Sequence, residues 1–224
     1  MQLAQSLLHH SASQLLTNKA VTRIEATEAG TYDVTAGDQR QTYDVVILAT
    51  PSLGAHIQSA QMPTQRPYHT THVTFLVGAV NPAYFGGAST VPDMILTTAG
   101  ANDVMSVTAM HASTHPGMDV YKIFSSVALG NERLSNIFSP IELATVQRRV
   151  WAAYPEYGPS MGDAPFVLAP GLYHVNAIEE AASAIEMSAI GAKNVALLAS
   201  EHIQQMAALE QSRTDAIKAQ RTEL

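Results

Sequence analysis

The chain has 224 residues, of which 46% are hydrophobic and 14% are charged, and its formal net charge is -7 at pH 7. This composition is typical of a globular protein with a substantial core, not of a disordered chain. The 12 Lys and Arg residues form no basic run, which argues against a nucleic-acid partner, and the absence of Cys excludes disulfides and thiolate sites.

The first third predicts one helix and three strands. Leucines recur on one face over about 2–16, which predicts an amphipathic helix, and the segment lacks the basic start of a signal peptide. KAVTRIEAT (19–27) and TYDVTA (31–36) alternate in polarity and read as a hairpin. QTYDVVILAT (41–50) contains a continuous apolar run, which predicts a strand covered on both faces in an α/β layer. A short helix is predicted to begin near Ser52.

The middle third predicts an antiparallel sheet. HTTHVTFLVGAV (69–80) is rich in β-branched residues, as expected of a long strand. Clusters of Gly, Asn, Asp and Pro separate the segments that follow it. A Pro/Tyr/Gly loop at 151–159 carries the only Trp. The other predicted elements are strands at 93–98, 105–110, 120–127 and 145–152 and a helix at 131–137.

The final third predicts a strand, a long helix and a fraying tail. An apolar run at 172–178 reads as the strand, and small residues at helical spacing predict a helix from Ala182 to about Gln205. The charged tail after Gln211 is expected to fray. If the first and last thirds pack as one layer, the middle is an inserted domain, an arrangement that is common in flavin enzymes without being unique to them.

Two glutamates stand where the predicted strand meets the predicted helix. A helix N-terminus attracts anions, and the small residues 181–184 would let a pyrophosphate approach the backbone amides. Glu179 is then placed to accept hydrogen bonds from sugar or polyol hydroxyls. Alternatively, Glu179, Glu180 and Ser183 cap an ordinary buried helix. Spacing alone leaves both readings open.

Several segments together resemble the prenylcysteine oxidase (prenylcysteine lyase) family. They are YDVVILATP, YHTTHVTFLVGAVNPAYFG, VYKIFS, VWAAYPEYGP and LYHVNAIEEAASAIEMSAIGAKNVALLA. The first is also similar to the strand that closes the FAD-binding layer in flavin amine oxidases. The resemblance runs from about Leu15 to Ile203 and covers only the later part of the family's length.

The resemblance implies a fold class and a division of the chain. The fold is α/β plus α+β, with a partial Rossmann-like FAD-binding layer of the glutathione-reductase type and an inserted antiparallel-sheet substrate domain. The expected parts are a partial FAD-binding domain (1–58), the substrate domain (59–168), a return to the FAD-binding domain (169–205) and a tail (206–224).

One expected motif of the family is missing from the sequence. Family members hold the FAD pyrophosphate with a strand–GxGxxG–helix unit, whereas the nearest glycine pair here is Gly86-Gly87. We therefore interpret the sequence as a fragment, a truncated product or an incomplete gene model, and expect it to bind FAD poorly by itself. The resemblance also suggests a vacuolar or lysosomal location.

The resemblance implies a set of FAD contacts but no catalytic residue. Glu179 matches the acidic residue that holds the flavin ribityl chain, and Val21 matches an adenine-side backbone contact, although Val21 and Ala49 serve equally well as core residues. The other matched positions lie after the YDVVILATP strand and at the start of the last helix. The full set is Val21, Ala49, Thr50, Glu179, Ser183, Ala184 and Ile185.

The implied reaction is oxidation of the thioether of a prenylated cysteine to cysteine, a prenyl aldehyde and hydrogen peroxide, with FAD as the cofactor that carries the chemistry. The aromatic residues Trp151, Tyr154 and Tyr157 either line a prenyl pocket or simply pack the domain. No metal site is predicted, because His69 and His72 point to opposite faces of a strand and the pair His111 and His115 lacks a carboxylate set.

Two alternatives remain open from the sequence. One is an amine-oxidase-like flavoenzyme that acts on a different donor. The other is a non-enzymatic protein that kept the sheet and lost the cofactor site.

Overall fold

The computed structural model describes residues 2–50, 67–87, 90–98, 103–113, 116–158 and 164–222. Its strands are β1 (Val21–Ala26), β2 (Tyr32–Ala36), β3 (Gln39–Tyr43), β4 (Val46–Leu48), β5 (Tyr68–Val80), β6 (Met94–Leu96), β7 (Val104–Ala109), β8 (Asp119–Ser125), β9 (Phe138–Pro155), β10 (Val167–Ala169) and β11 (Leu172–His174). Its α-helices are α1 (Gln2–His10), α2 (Asn131–Ile137) and α3 (Ile185–Thr222), and short 3-10 helices cover Pro82–Phe85 and Val175–Glu180. The predicted helix near Ser52 lies outside the described residues.

The chain divides into two compact units. The first comprises residues 1–66 and 157–224, and the second comprises residues 67–156. The second unit is therefore one continuous segment between the two parts of the first. Residues 157–168, which the sequence analysis placed in the substrate domain, belong here to the first unit.

The first unit is built around two small sheets. Strands β1, β2 and β3 form an antiparallel meander, and the predicted hairpin is the connection between β1 and β2. The second sheet has the order β10-β11-β4, and β11 runs parallel to β4. Tyr32 connects the two sheets, because its hydroxyl donates to the carbonyl of Pro170 at 2.6 Å. The shared core consists of Ile24, Tyr32, Leu48, Leu168 and Leu172.

The strand predicted at 41–50 is two strands that belong to different sheets. Strand β3 pairs with β2, whereas β4 pairs with β11. The chain changes sheet around Asp44, just before β4. Leu48 is buried in the shared core, but Ile47, whose side chain points to the opposite face, is 44% exposed. Tyr173, which pairs with Ile47 and lies on the same face, packs with Val195 and Ala199 of helix α3. The second face is therefore covered in part, whereas the sequence predicted full cover.

The junction between the last strand and the last helix differs from the prediction. The strand ends at His174, and Val175–Glu180 form a 3-10 helix where a continued strand was predicted. Helix α3 then begins at Ile185. The turn brings Ile178 against α3 so closely that a Cβ atom at Gly191 would lie 3.1 Å from Ile178. A small residue on α3 thus permits the tight turn.

The tail is also more regular than predicted. Helix α3 continues to Thr222, about 17 residues beyond the end near Gln205 that the sequence predicted. The side-chain amide of Gln211 donates to the carboxylate of Asp215, one turn further on, at 3.0 Å. Such pairs four residues apart support an exposed helix.

The second unit is one antiparallel sheet with the order β6-β7-β8-β5-β9. The predicted strands and helix of the middle third are confirmed, although β9 begins at Phe138 and so extends beyond the predicted 145–152. His69 and His72 lie on strand β5 three positions apart, and their side chains therefore point to opposite faces, as predicted. Helix α2 packs on one face of the sheet. The core there consists of Leu76, Val80, Val104, Val107, Ile123, Leu129, Leu134, Ile137 and Phe138.

Gly171 is expected to be much less tolerant of a side chain than Gly30. Both have a positive φ, 77° at Gly171 and 81° at Gly30, so Ala costs about 1–2 kcal/mol at either position. A Cβ at Gly171 would also lie 2.9 Å from the carbonyl oxygen of Asp44, whereas a Cβ at Gly30 meets nothing within 4 Å. Gly171→Ala should therefore destabilise the fold by about 1–3 kcal/mol more than Gly30→Ala.

Urea denaturation of both variants and the wild type measures this difference as a shift in the unfolding midpoint. Equal midpoints for the two variants would contradict the close packing described at Gly171.

Candidate cofactor site

The candidate site lies at the carboxyl ends of two parallel strands. Leu48 at the end of β4 stands opposite His174 at the end of β11. The segments that leave these ends are Ala49-Thr50 and the 3-10 helix Val175–Glu180. In open α/β sheets the ends of parallel strands are where ligands bind.

His174 is the buried polar residue at the centre of this edge. It is 5% exposed, and the described residues offer its two buried ring nitrogens only a marginal hydrogen bond with the backbone of Thr50. Burial lowers the pKa of His174, while this contact with Thr50 and the negative charge of Glu179 act in the opposite direction. The net effect favours a neutral imidazole, which has one donor and one acceptor nitrogen.

His174 is not among the FAD contacts predicted from the sequence. Its sequence signal is a single titratable residue at the end of an apolar strand. A histidine in that position usually finds hydrogen-bond partners in the core, and only the structure shows that both nitrogens are buried with no more than a marginal contact to the backbone of Thr50. A buried polar group of this kind costs about 1–3 kcal/mol if it stays unsatisfied.

The structure brings three predicted contacts to this edge. Thr50 and Glu179 both lie near the imidazole of His174, and Ala49 precedes Thr50 directly. Ala49 and Thr50 are exposed and Glu179 is half-buried, so backbone and carboxylate are accessible. The set is compatible with a ligand that passes across the strand ends.

The other predicted contacts lie at the start of α3 or on a different sheet. The hydroxyl of Ser183 is 2.9 Å from that of Tyr157, so Tyr157 contacts the predicted site. The carbonyl of Ala184 accepts from the amide of Ser188 at 2.9 Å. Ile185, the first residue of α3, is 74% exposed. Val21 begins β1 in the antiparallel meander.

These residues fit the FAD that the family resemblance implies. The half-buried carboxylate of Glu179 would accept hydrogen bonds from ribityl hydroxyls. The N-terminus of the long helix α3, which follows the small residues 181–184, would suit a pyrophosphate. The neutral imidazole of His174 has buried nitrogens that the described residues leave incompletely hydrogen-bonded.

The described parts of the chain offer neither a metal site nor a membrane-spanning helix. There, no group of three or more His, Asp or Glu side chains is arranged to hold a metal ion. His115, which the sequence pairs with His111, lies outside those parts. No described helix combines the length and apolar character that crossing a membrane requires.

Comparison with known sequences relates the chain to one family. The profile of the family described as prenylcysteine lyase matches residues 1–211. Farnesylcysteine lyase of Arabidopsis thaliana is 33% identical over 205 residues, which cover 88% of this chain and 40% of that protein. Prenylcysteine oxidase 1 of Homo sapiens is 30% identical over 223 residues, with 89% of this chain and 44% of that protein covered. The chain thus spans less than half the length of these curated relatives.

Comparison with solved structures supports the fold. A putative protoporphyrinogen oxidase from Exiguobacterium has a TM-score of 0.59 at 14% identity, covering 89% of this chain and 51% of that one. A putrescine oxidase has a TM-score of 0.55 at 13% identity, covering 92% and 52%. The predicted fold class, an α/β layer of the FAD-binding type combined with an antiparallel sheet, is confirmed.

Protonation of His174 is expected to destabilise the fold at acid pH. Because burial lowers the pKa of His174 in the folded state, the unfolded chain binds this proton more readily. The penalty is absent above the unfolded-state pKa of about 6.5. It grows as the pH falls from there toward the folded-state pKa, by at most about 1.4 kcal/mol per pH unit.

Urea denaturation of wild type and His174→Phe from about pH 8 to about pH 5 measures the effect. The free energy of unfolding of the wild type should fall more steeply with decreasing pH than that of the variant. Parallel curves would show that His174 does not carry this pH dependence, whatever the variant costs at pH 8.

Proposed function

Because the chain belongs to the prenylcysteine lyase family, we propose that it serves an FAD-dependent oxidation of the thioether in prenylated cysteine. The observation that carries the proposal is the family match over residues 1–211. In the proposed reaction, prenylcysteine, O₂ and water give a prenyl aldehyde, cysteine and hydrogen peroxide. The carbon–sulfur bond breaks, the prenyl carbon is oxidised and O₂ is reduced.

The residues at the strand ends have defined tasks in this proposal. FAD, when bound, supplies the acceptor for the two electrons that leave the prenyl carbon. Glu179 accepts hydrogen bonds from the ribityl hydroxyls, and the amides around Ser183, Ala184 and Ile185 face the pyrophosphate. Ala49 and Thr50 flank the cofactor beside the end of β4, and Val21 contacts the adenine side.

His174 acts in this proposal as a positioning residue. It is buried and interacts with the backbone of Thr50 and the charge of Glu179. A neutral ring in that position adds no positive charge beside Glu179. The carboxylate of Glu179 therefore keeps its capacity to accept hydrogen bonds from the cofactor.

The chain represents only part of the length of its relatives. It matches 40% of the Arabidopsis farnesylcysteine lyase, so the activity is proposed for the chain together with the remaining part of such a protein.

We also propose the vacuole or lysosome as the location, on the basis of the family resemblance alone. Fluorescent tagging in cells would check it.

Fusing the chain to the part of the Arabidopsis farnesylcysteine lyase that it does not match should confer flavin binding and activity. The chain is purified alone and in a fusion with the part of the Arabidopsis protein outside the match, each with added FAD. We expect a protein-bound absorbance band near about 450 nm in the fusion. We also expect hydrogen peroxide and free thiol in equal amounts from farnesylcysteine, and none from putrescine.

Absence of bound flavin in the fusion would contradict the oxidase proposal and favour a non-enzymatic protein. Bound flavin with turnover of putrescine, and not of farnesylcysteine, would favour an amine-oxidase-like donor.

Glu179→Ala is expected to weaken FAD binding in the fusion. Loss of hydrogen bonds to a charged group costs about 1.5–3 kcal/mol, which is roughly a 10- to 150-fold increase in Kd. Glu186→Ala is the matched control, because Glu186 is also acidic but lies exposed in the first turn of α3. Flavin titration of both variants measures the effect, and equal Kd values for the two variants would refute the role of Glu179.

A further inference from the structure

One face of the sheet in the second unit carries aromatic side chains in adjoining strands. Alternate residues of β5 point to this face, and their cross-strand partners on β8 and β9 point the same way. The opposite face of the sheet is packed against α2. We call the first one the aromatic face, and its members are His69, Phe75, Lys122, Phe124, Trp151 and Tyr154.

The aromatic side chains contact one another across the strands. The rings of His69 and Tyr154 stack with their centroids 5.1 Å apart. The ring of Trp151 meets that of Phe124 edge to face, with a centroid distance of 6.1 Å. The rings thus form a series of two contacting pairs on one face of strands β9, β5 and β8.

A large part of this series is open to solvent. Trp151 is 47% exposed, although it is among the most apolar side chains. The same face continues at the edge strand β6, where Met94 is 56% exposed and Leu96 is 72% exposed. Exposed apolar surface that is contiguous rather than scattered marks a binding site for an apolar partner.

The aromatic face has a cation at one end. The ammonium group of Lys122 lies over the ring of Phe124, 5.0 Å from its centroid. Lys122 is half-buried, and no carboxylate of the described residues forms an ion pair with it. At the other end the Nε2 atom of His69 is buried and has no hydrogen-bond partner among the described residues.

We propose that the aromatic face binds prenylcysteine, with the isoprenoid chain along the rings of Phe124, Trp151 and Tyr154 and the α-carboxylate on Lys122. The choice of ligand rests on the proposed function. Successive residues on one face of a strand are about 7 Å apart. Lys122 pairs with Phe75 and Tyr154 pairs with His69, so about 20 Å separates the two along the strand, which is comparable with the length of an extended farnesylcysteine. An amphiphile with an apolar chain and one anionic end matches this arrangement in both polarity and order.

Lys122 also predicts a preference between two forms of the ligand. A half-buried ammonium group gains from a carboxylate because the pair is partly shielded from water. The methyl ester of prenylcysteine lacks that negative charge and retains the same chain. The aromatic face should therefore bind the free acid more tightly than the ester.

The single Trp of the chain lies on the aromatic face and reports binding without any cofactor. Farnesylcysteine and its methyl ester are titrated separately into the full chain, and Trp151 fluorescence is followed below the concentration at which the ligands form micelles. We expect saturable changes with both ligands and a lower Kd for the acid. Lys122→Met should raise the Kd for the acid about two- to fivefold and leave the Kd for the ester unchanged. Lys193→Met, on the exposed surface of α3, should change neither.

The chain-binding part of the proposal has its own test. Tyr154→Ala should raise the Kd for both ligands by a similar factor, because it removes a ring and no charge. Circular dichroism of each variant identifies any that fails to fold, and for those Tyr154→Leu replaces the alanine variant.

Three results of the binding experiments would overturn the proposal. They are a fluorescence change that does not saturate, an equal effect of Lys122→Met on acid and ester, and equally tight binding of a linear fatty acid of similar length. The outcome is separate from that of the oxidase test. If the ligand binds saturably but the fusion produces no peroxide, the proposed activity is refuted and the binding face stands. If the fusion does produce peroxide and Lys122→Met leaves its KM for farnesylcysteine unchanged, the binding face is refuted.

Discussion

The parallel pairing of β4 with β11 is the constraint on which the first unit depends. Six residues form this ladder, Val46–Leu48 with Leu172–His174. The pairing places Leu48 and Leu172 in one core and directs Tyr173 toward α3, where it packs with Val195 and Ala199. It also brings Thr50 and Glu179 near His174. The predicted cofactor contacts at this edge are neighbours only because these strands pair.

The sequence predicted the elements of the second unit well and the junctions of the first unit less well. Strands of the second unit follow from β-branched runs bounded by turn residues, which are local signals. The change of sheet near Asp44 is not local, because the partner of β4 is about 120 residues away. The 3-10 helix at Val175–Glu180 depends on contact between Ile178 and Gly191, which no periodicity encodes.

The same distinction applies to the sites. Glu179 could be selected because two carboxylates at a strand–helix junction are unusual and because the family motif covers them. His174 could not, since its relevance lies in the burial of both nitrogens at a point where two distant segments meet. The sequence predicts a loop at Trp151, whereas this residue belongs to β9 and contacts Phe124 on β8.

The separation of β4 from β11 along the chain also bears on the order of folding. Closing a loop of about 120 residues costs conformational entropy before the ladder returns any energy. Residues 67–156 pair only among themselves in the sheet that they form. Folding of that sheet first would shorten the loop that β4 and β11 have to close. We therefore expect the amides of β5 and β8 to gain protection from hydrogen exchange before those of β11 during refolding. Simultaneous protection would show that the two units fold together.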